Sequence, residues 1–283
     1  MAHIILQAPR LAAADIERLA AVACAGGVQE LGPTAVRLLD VDPDCRDDTL
    51  AQAAVLRMDA AWLDAVQRLA DCKVLAMDMD STLVNIECID EIADAVGRKA
   101  EVAAITEASM RGEITDFSES LRRRVALLRG VPESALEQVF TQRLRLNPGA
   151  ERLIETVRAH GLKTILVSGG FTFFTERLRR GLALDQAHAN VLEAVDGVLT
   201  GRVLGDIVDG AAKARHVAAL AQSVGATPEQ ILVLGDGSND LPMMAQAYYS
   251  VAYRAKPVVR AQARFALDHS PLDAVLNWFR LAH

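Results

Sequence analysis

Cysteine is scarce in this chain and, where present, unpatterned. The four cysteines, Cys24, Cys45, Cys72 and Cys88, include no Cys-x-x-Cys pair, which speaks against a zinc site or a disulfide framework. The residue six past Cys88 is Asp94, so the Cys-x5-Arg arrangement of a cysteine-nucleophile phosphatase is missing as well. There is no Gly-x4-Gly-Lys-Ser/Thr loop for nucleotide phosphates. The longest apolar runs are strand-sized, well short of the ~20 residues that a membrane helix needs. The opening Met1-Ala2-His3-Ile4 lacks the basic start and apolar core of a secretory signal. A basic excess is lacking too: the net charge is −7, which disfavours nucleic acid as a partner. Reduced thiols and a cytoplasmic location are the expectation.

The 283 residues suffice for one sizeable core and a smaller unit, with 51% hydrophobic and 24% charged residues. The densest chemistry is Asp78-Met79-Asp80-Ser81-Thr82-Leu83-Val84, directly after the apolar run Val74-Leu75-Ala76-Met77. Two carboxylates at i and i+2 past a buried strand repel each other unless a cation or a reaction uses them. One can attack an electrophile while its neighbour handles protons, and a metal can quench the repulsion. Alone, the segment also reads as a helix cap. Three later segments weigh against that: Thr164–Val167 leads into Ser168-Gly169-Gly170, Lys213 follows Gly210-Ala211-Ala212, and Ile231–Leu234 leads into Gly235-Asp236-Gly237-Ser238-Asn239-Asp240. Two of these place polar groups just past the carboxyl end of an apolar, strand-like run, the edge where open α/β sheets bind ligands.

Asp-x-Asp-x-Thr, Ser-Gly-Gly, Lys and Gly-Asp-Gly-x-Asn-Asp, in that order, resemble the haloacid dehalogenase-like phosphatase superfamily. Within it, Asp78 to Glu91, Arg122-Arg123-Arg124 and Ser168–Phe171 resemble the phosphoserine phosphatase family, over roughly residues 73 to 270. The resemblance implies an α/β fold: a Rossmann-like core with a parallel sheet, a helical cap inserted after the first core strand, and a small N-terminal α+β domain similar to an abbreviated ACT domain. The expected divisions are 1–70 for the N-terminal unit, 71–84 with 149–283 for the core, and 85–148 for the cap. Within the first unit, Ile4–Leu6 and Val36–Leu39 read as strands, Asp15 to Cys24 as a helix, Asp40 to Asp48 as a polar connection, and Asp59 to Ala70 as a further helix.

The resemblance also implies roles. Asp78 would be the nucleophile and Asp80 the general acid/base. Asp78, Asp236 and the Asp80 main-chain carbonyl would hold Mg2+, with Asp240 and Thr82 in support. Ser168, Gly169, Lys213 and Asn239 would bind phosphate. Glu87 and Arg124 would take the ammonium and carboxylate of O-phosphoserine, and Met110 and Phe117 would shield it. Successive arginines turn by about 100° on a helix, so 122–124 cannot all face one way, and the resemblance selects Arg124. Ser81, Thr82 and Ser168 have an alternative as turn or cap residues, Lys213 as a surface lysine, and Met110 and Phe117 as ordinary packing. The implied reaction is hydrolysis of O-phospho-L-serine through an aspartyl-phosphate, the last step of serine biosynthesis. The alternative is a relative that acts on, or transfers phosphate from, another small ester. Residues 1–70 read as a structural or dimerising appendage, a homodimer being possible, and as dispensable for chemistry because every motif lies beyond them.

Overall fold

The computed structural model describes residues 2–110 and 113–281, except for the side chain of Met110; the shielding role expected of Met110 therefore lies outside the described residues. The first unit is an antiparallel sheet of β1 (Ala2–Gln7), β2 (Gly27–Gly32), β3 (Ala35–Val41) and β4 (Asp59–Leu63), ordered β2-β3-β1-β4. Helices Ala13–Val22 and Arg46–Val55 connect β1 to β2 and β3 to β4, completing the βαββαβ ferredoxin-like order. The unit expected to be abbreviated thus carries every element of that arrangement.

Period-2 alternation explains why β1 reads as a continuous apolar run. Ile4 and Leu6 pack with Leu19, Ala53 and Trp62 toward the helices. Ile5 points the other way and joins Ala61, Leu63 and Leu69 in the main core with Tyr249, Phe265 and Trp278. Both faces of the sheet are buried, each enclosed Ile or Leu contributing about 1.5–3 kcal/mol.

Two expectations are corrected here. Residues 59–63 form strand β4, not the start of a helix, and only Leu69–Asp71 makes a short 3-10 turn. The pair Ala60-Ala61 favours helix locally, but pairing of the whole segment with β1 prevails. The polar connection holds structure as well: Asp42 accepts from the Asp44 N–H at 3.0 Å and opens the turn Pro43–Cys45, which feeds helix Arg46–Val55.

The second sheet runs β11-β10-β9-β5-β6-β7-β8, built from β5 (Val74–Met77), β6 (Lys163–Phe171), β7 (Gln186–Val195), β8 (Val198–Leu204), β9 (Ile231–Gly235), β10 (Tyr249–Tyr253) and β11 (Phe265–Leu267). All neighbours are parallel except β7 and β8, which form an antiparallel hairpin. Leu75 and Met77 face one apolar layer while Val74 and Ala76 face the other, as a strand buried on both sides requires. Met77 is in register with Leu166 of β6 and Leu234 of β9. Asp78 and Asp236 therefore leave adjacent strands at one edge, beside Ser168 toward the end of β6.

Between β5 and β6 the chain makes helices Cys88–Ala95, Lys99–Met110, Phe117–Ala126 and Glu133–Gln138. It leaves and returns side by side. Val84 bridges Leu146 antiparallel, Asn85 and Arg145 exchange hydrogen bonds, and the Asn147 side chain donates to the carbonyls of Ser81, Thr82 and Val84 at 3.4, 2.8 and 3.1 Å.

The N-terminal sheet is also tied to the core by Asp59. Its buried carboxylate accepts the backbone N–H groups of Asp268, His269 and Ser270 at 2.7 to 3.2 Å. Asp59→Ala strands three amides and should lower unfolding stability by about 2–4 kcal/mol, read as a fall in the urea midpoint. An unchanged midpoint would show that these amides find other partners.

Candidate active site

The site forms where β5, β6 and β9 end. Asp78, the first residue past β5, is buried and accepts the Met79 N–H at 2.7 Å. The next turn reverses sharply: Asp80 is extended and Ser81 left-handed, at φ 57°. That reversal sends successive side chains different ways. Asp80 accepts the Cys88 N–H at 3.3 Å, Ser81 donates to Glu87 Oε1 at 2.7 Å, and Thr82 donates to Asp236 Oδ1 at 3.0 Å.

Lys213 is fully buried, and its ammonium lies 2.8 Å from Asp78 Oδ1 and 2.7 Å from Asp240 Oδ1. Asp240 spends its other oxygen on the N–H groups of Asp236 and Gly237, at 3.1 and 3.0 Å. Burial opposes the lysine's charge, but Asp240 and Asp78 outweigh it and hold Lys213 above the usual lysine range. Burial also raises Asp78 well above the usual carboxylate range; Asp240 adds to the rise and Lys213 opposes it. Burial, then Glu87, pushes Asp80 up to about 8, so it carries a proton at neutral pH. Asp236 is raised to about 7 by burial, then by Asp240 and Glu87.

The Ser-Gly-Gly segment has no room for larger residues. A Cβ on Gly169 would lie 2.9 Å from Phe117 Cζ, and one on Gly170 2.8 Å from Met79 Cε and 2.9 Å from Asp80 Oδ2. Ser168 Oγ accepts the Gly170 N–H at 2.8 Å. The Asn239 amide approaches the same segment, 3.7 Å from where a Gly169 Cβ would be.

Helix Phe117–Ala126, capped by the Asp116 carboxylate on the Ser118 N–H, presents Phe117, Ser120, Leu121 and Arg124 to the cleft. These positions, i, i+3, i+4 and i+7, share one helix face. Arg123 instead pairs with Glu119 outside. Arg124 forms no ion pair among the described residues; burial lowers it, while Asp90, Glu87 and Asp80 counteract. The cleft encloses about 700 Å3 and brings Glu87 and Arg124 into one cavity with Asp78, Asp80, Ser168, Gly169, Asn239 and Asp236. A wider groove of about 970 Å3 between Asn147–Arg152 and Arg177 lies apart from these groups.

Oxygens of Asp78, Asp236 and Asp240 lie within 4.8 Å of one another. Both Asp240 oxygens are committed to Lys213 and backbone amides, which leaves Asp78 and Asp236 to face an ion. Two raised carboxylates and an all-oxygen donor set fit a hard divalent cation. The Asp80 carboxylate, turned to Cys88, does not join the cluster.

Sequence reasoning missed Asn190. From β7 its amide donates to the Gly169 carbonyl at 2.8 Å and accepts the Val208 N–H at 2.8 Å, fixing the glycine segment from behind. No local signal marks it, because Gln186 and His188 precede it at the same alternation along the strand. Asn147 was likewise invisible, because its role is to satisfy carbonyls more than 60 residues away.

Comparison with known proteins agrees with this geometry. Residues 75–245 match the haloacid dehalogenase-like hydrolase family, which uses a divalent metal, and residues 4–49 match a domain of unknown function. The chain is 57% identical over 214 residues to a phosphoserine phosphatase of Polaromonas sp., covering 74% of this chain and 91% of that one. It superposes on the unliganded probable phosphoserine phosphatase of Vibrio cholerae with a TM-score of 0.84 at 38% identity, over 99% of this chain and 87% of that one. A phospho-aspartyl intermediate analogue of phosphoserine phosphatase superposes with a TM-score of 0.69 at 36% identity, over 74% and 99%. With its acids, lysine and glycine segment gathered at one sheet edge, the chain belongs to the phosphoserine phosphatases of the haloacid dehalogenase-like hydrolases.

Proposed function

We propose that the protein hydrolyses O-phospho-L-serine to L-serine and phosphate through an aspartyl-phosphate on Asp78, as the last step of serine biosynthesis in the cytoplasm. The observation that carries this reading is the pairing of opposite charges opposite the nucleophile. Glu87 and Arg124, which forms no ion pair among the described residues, share one cavity with Asp78, matching the ammonium and carboxylate of an amino acid. The division of labour follows the chain: residues 71–84 with 149–283 do the chemistry, 85–148 select the substrate, and 1–70 cover the core.

Asp78 attacks phosphorus; the new bond joins its carboxylate oxygen to phosphorus as the bond to the serine oxygen breaks. Asp80, protonated at neutral pH, gives its proton to the departing alkoxide. Once ionised, Asp80 takes a proton from water, which attacks the aspartyl-phosphate and frees phosphate. Lys213, Ser168, the Gly169 amide and Asn239 hold the phosphoryl oxygens, the charge-neutralising work on which phosphoryl transfer depends. Phe117 shields this end of the cleft, and Asp240 and Thr82 orient Lys213 and Asp236. Asp78, Asp236 and the Asp80 carbonyl would hold Mg2+, which would supply positive charge against the incoming phosphate.

Asp78→Asn should abolish multiple turnover, and fluoroberyllate, an aspartyl-phosphate mimic, should raise the melting temperature only of protein that retains Asp78. Normal turnover by the purified variant would refute the nucleophile. Chelation followed by exhaustive dialysis should remove activity and Mg2+ should restore it; full activity in chelator would count against the metal site.

Glu87→Ala and Arg124→Ala test the substrate. Each should lower kcat/KM for phosphoserine by about 30- to 700-fold, as expected when one partner of a hydrogen-bonded charge pair is truncated. A generic aryl phosphate, lacking ammonium and carboxylate, should lose far less. Equal losses on both substrates would place these residues in cap folding instead.

A further inference from the structure

Two thiols outside the catalytic cleft have no part in this chemistry. Helix Ala13–Val22 ends in a left-handed turn at Cys24, φ 48°, closed by the Ala25 N–H on the Ala20 carbonyl at 2.9 Å. This place in a helix terminus favours glycine or asparagine, since a Cβ is strained there. Cys24 is also exposed, so its side chain contributes no core packing in return.

Cys45, 21 residues on, closes the turn Pro43–Cys45, and its thiol donates to Cys24 Sγ at 3.7 Å. The two backbones are tied together by the Asp42 N–H on the Ala23 carbonyl at 3.0 Å. The contact with Cys24, with a smaller push from Asp42 and Asp44, raises the Cys45 thiol and keeps the proton on it. Cys24 is the exposed acceptor that a solute meets first. The pair lies on the helical side of the N-terminal sheet, away from the face packed on the core.

We propose that Cys24 and Cys45 are a reversible thiol-modification site, oxidised by peroxide to an intramolecular disulfide. The Cys24 sulfur attacks one peroxide oxygen and the O–O bond breaks. The departing oxygen takes the thiol proton and leaves as water, with Cys24 a sulfenic acid. The Cys45 sulfur attacks that sulfur, the S–O bond breaks, and a second water carries off the Cys45 proton. Two electrons pass to the peroxide, and a dithiol reductant returns them.

The other cysteines do not compete. Cys72 is buried and pushed up to about 12, chiefly by burial, and Cys88 is buried and raised by burial and by Asp80. With Asp42, the pair offers a soft metal three donors, one fewer than a structural zinc site takes.

The test exposes the full-length native protein to hydrogen peroxide and counts free thiols after denaturation. The count should fall from four to two and return with dithiothreitol. The oxidised protein should be lighter by two hydrogens, with Cys24 and Cys45 joined in the peptide map. Cys45→Ser should stop at a sulfenic acid on Cys24, trapped by dimedone on folded protein. Oxidation of Cys72 or Cys88 first, no loss of thiols short of unfolding, or a pair inert to peroxide yet masked by one equivalent of Zn2+ would each overturn the proposal.

Discussion

The site depends on one buried ammonium. Three carboxylates, Asp78, Asp236 and Asp240, converge within 4.8 Å at the end of a sheet buried on both faces, and Lys213 is the cation that binds two of them. Removing one partner of such a buried cluster leaves uncompensated charge, at a cost of about 3–5 kcal/mol. The lysine does two jobs with one set of contacts. Through Asp240 it organises the loop after β9, whose amides rest on that carboxylate; through Asp78 it fixes the first carboxylate past β5. Asp80, beyond hydrogen-bonding reach of Lys213, keeps its proton. Burial raises both carboxylates, but Lys213 opposes the rise by direct contact at Asp78 whereas Glu87 adds to it at Asp80.

Much of this was legible in the sequence, for a physical reason. Strands buried on both faces read as unbroken apolar runs, and polar residues at their ends stand out sharply. Val74–Met77 and Ile231–Leu234 announced the sheet, and the acids after them announced its edge. What stayed hidden depends on long-range satisfaction of backbone groups. Nothing near Asn147 or Asn190 marks them as clamps, since the carbonyls and amide they serve lie far off along the chain or in another loop. The strand at 59–63 was hidden because Ala-rich segments favour helix until a neighbouring strand claims their hydrogen bonds. Cys24 and Cys45 looked unrelated because their proximity arises from the end of one helix meeting the turn before the next.

The N-terminal unit is more than an addition. Ile5, Ala61 and Leu63 complete the apolar layer that holds Tyr249, Phe265 and Trp278, and the Asp59 carboxylate closes backbone amides just past β11. The stability of the sheet that carries the acids therefore calls on this unit.

The paired exits of the helical insertion have a consequence for how such a protein changes over generations. Because Val84 and Leu146 lie side by side and the Asn147 amide gathers three carbonyls of the acid-bearing turn, both ends of the insertion are anchored at one point. Among the described residues, the hydrogen bonds between the threaded chain and that turn come from Ile86, Glu87 and Cys88, close after the first anchor. Exchange of the helices beyond Cys88 would alter the lining of the cleft while the contacts of Glu87 and Cys88 with Ser81 and Asp80 stay in place. The far side of the cleft and the acid-bearing turn are thereby open to partly separate variation.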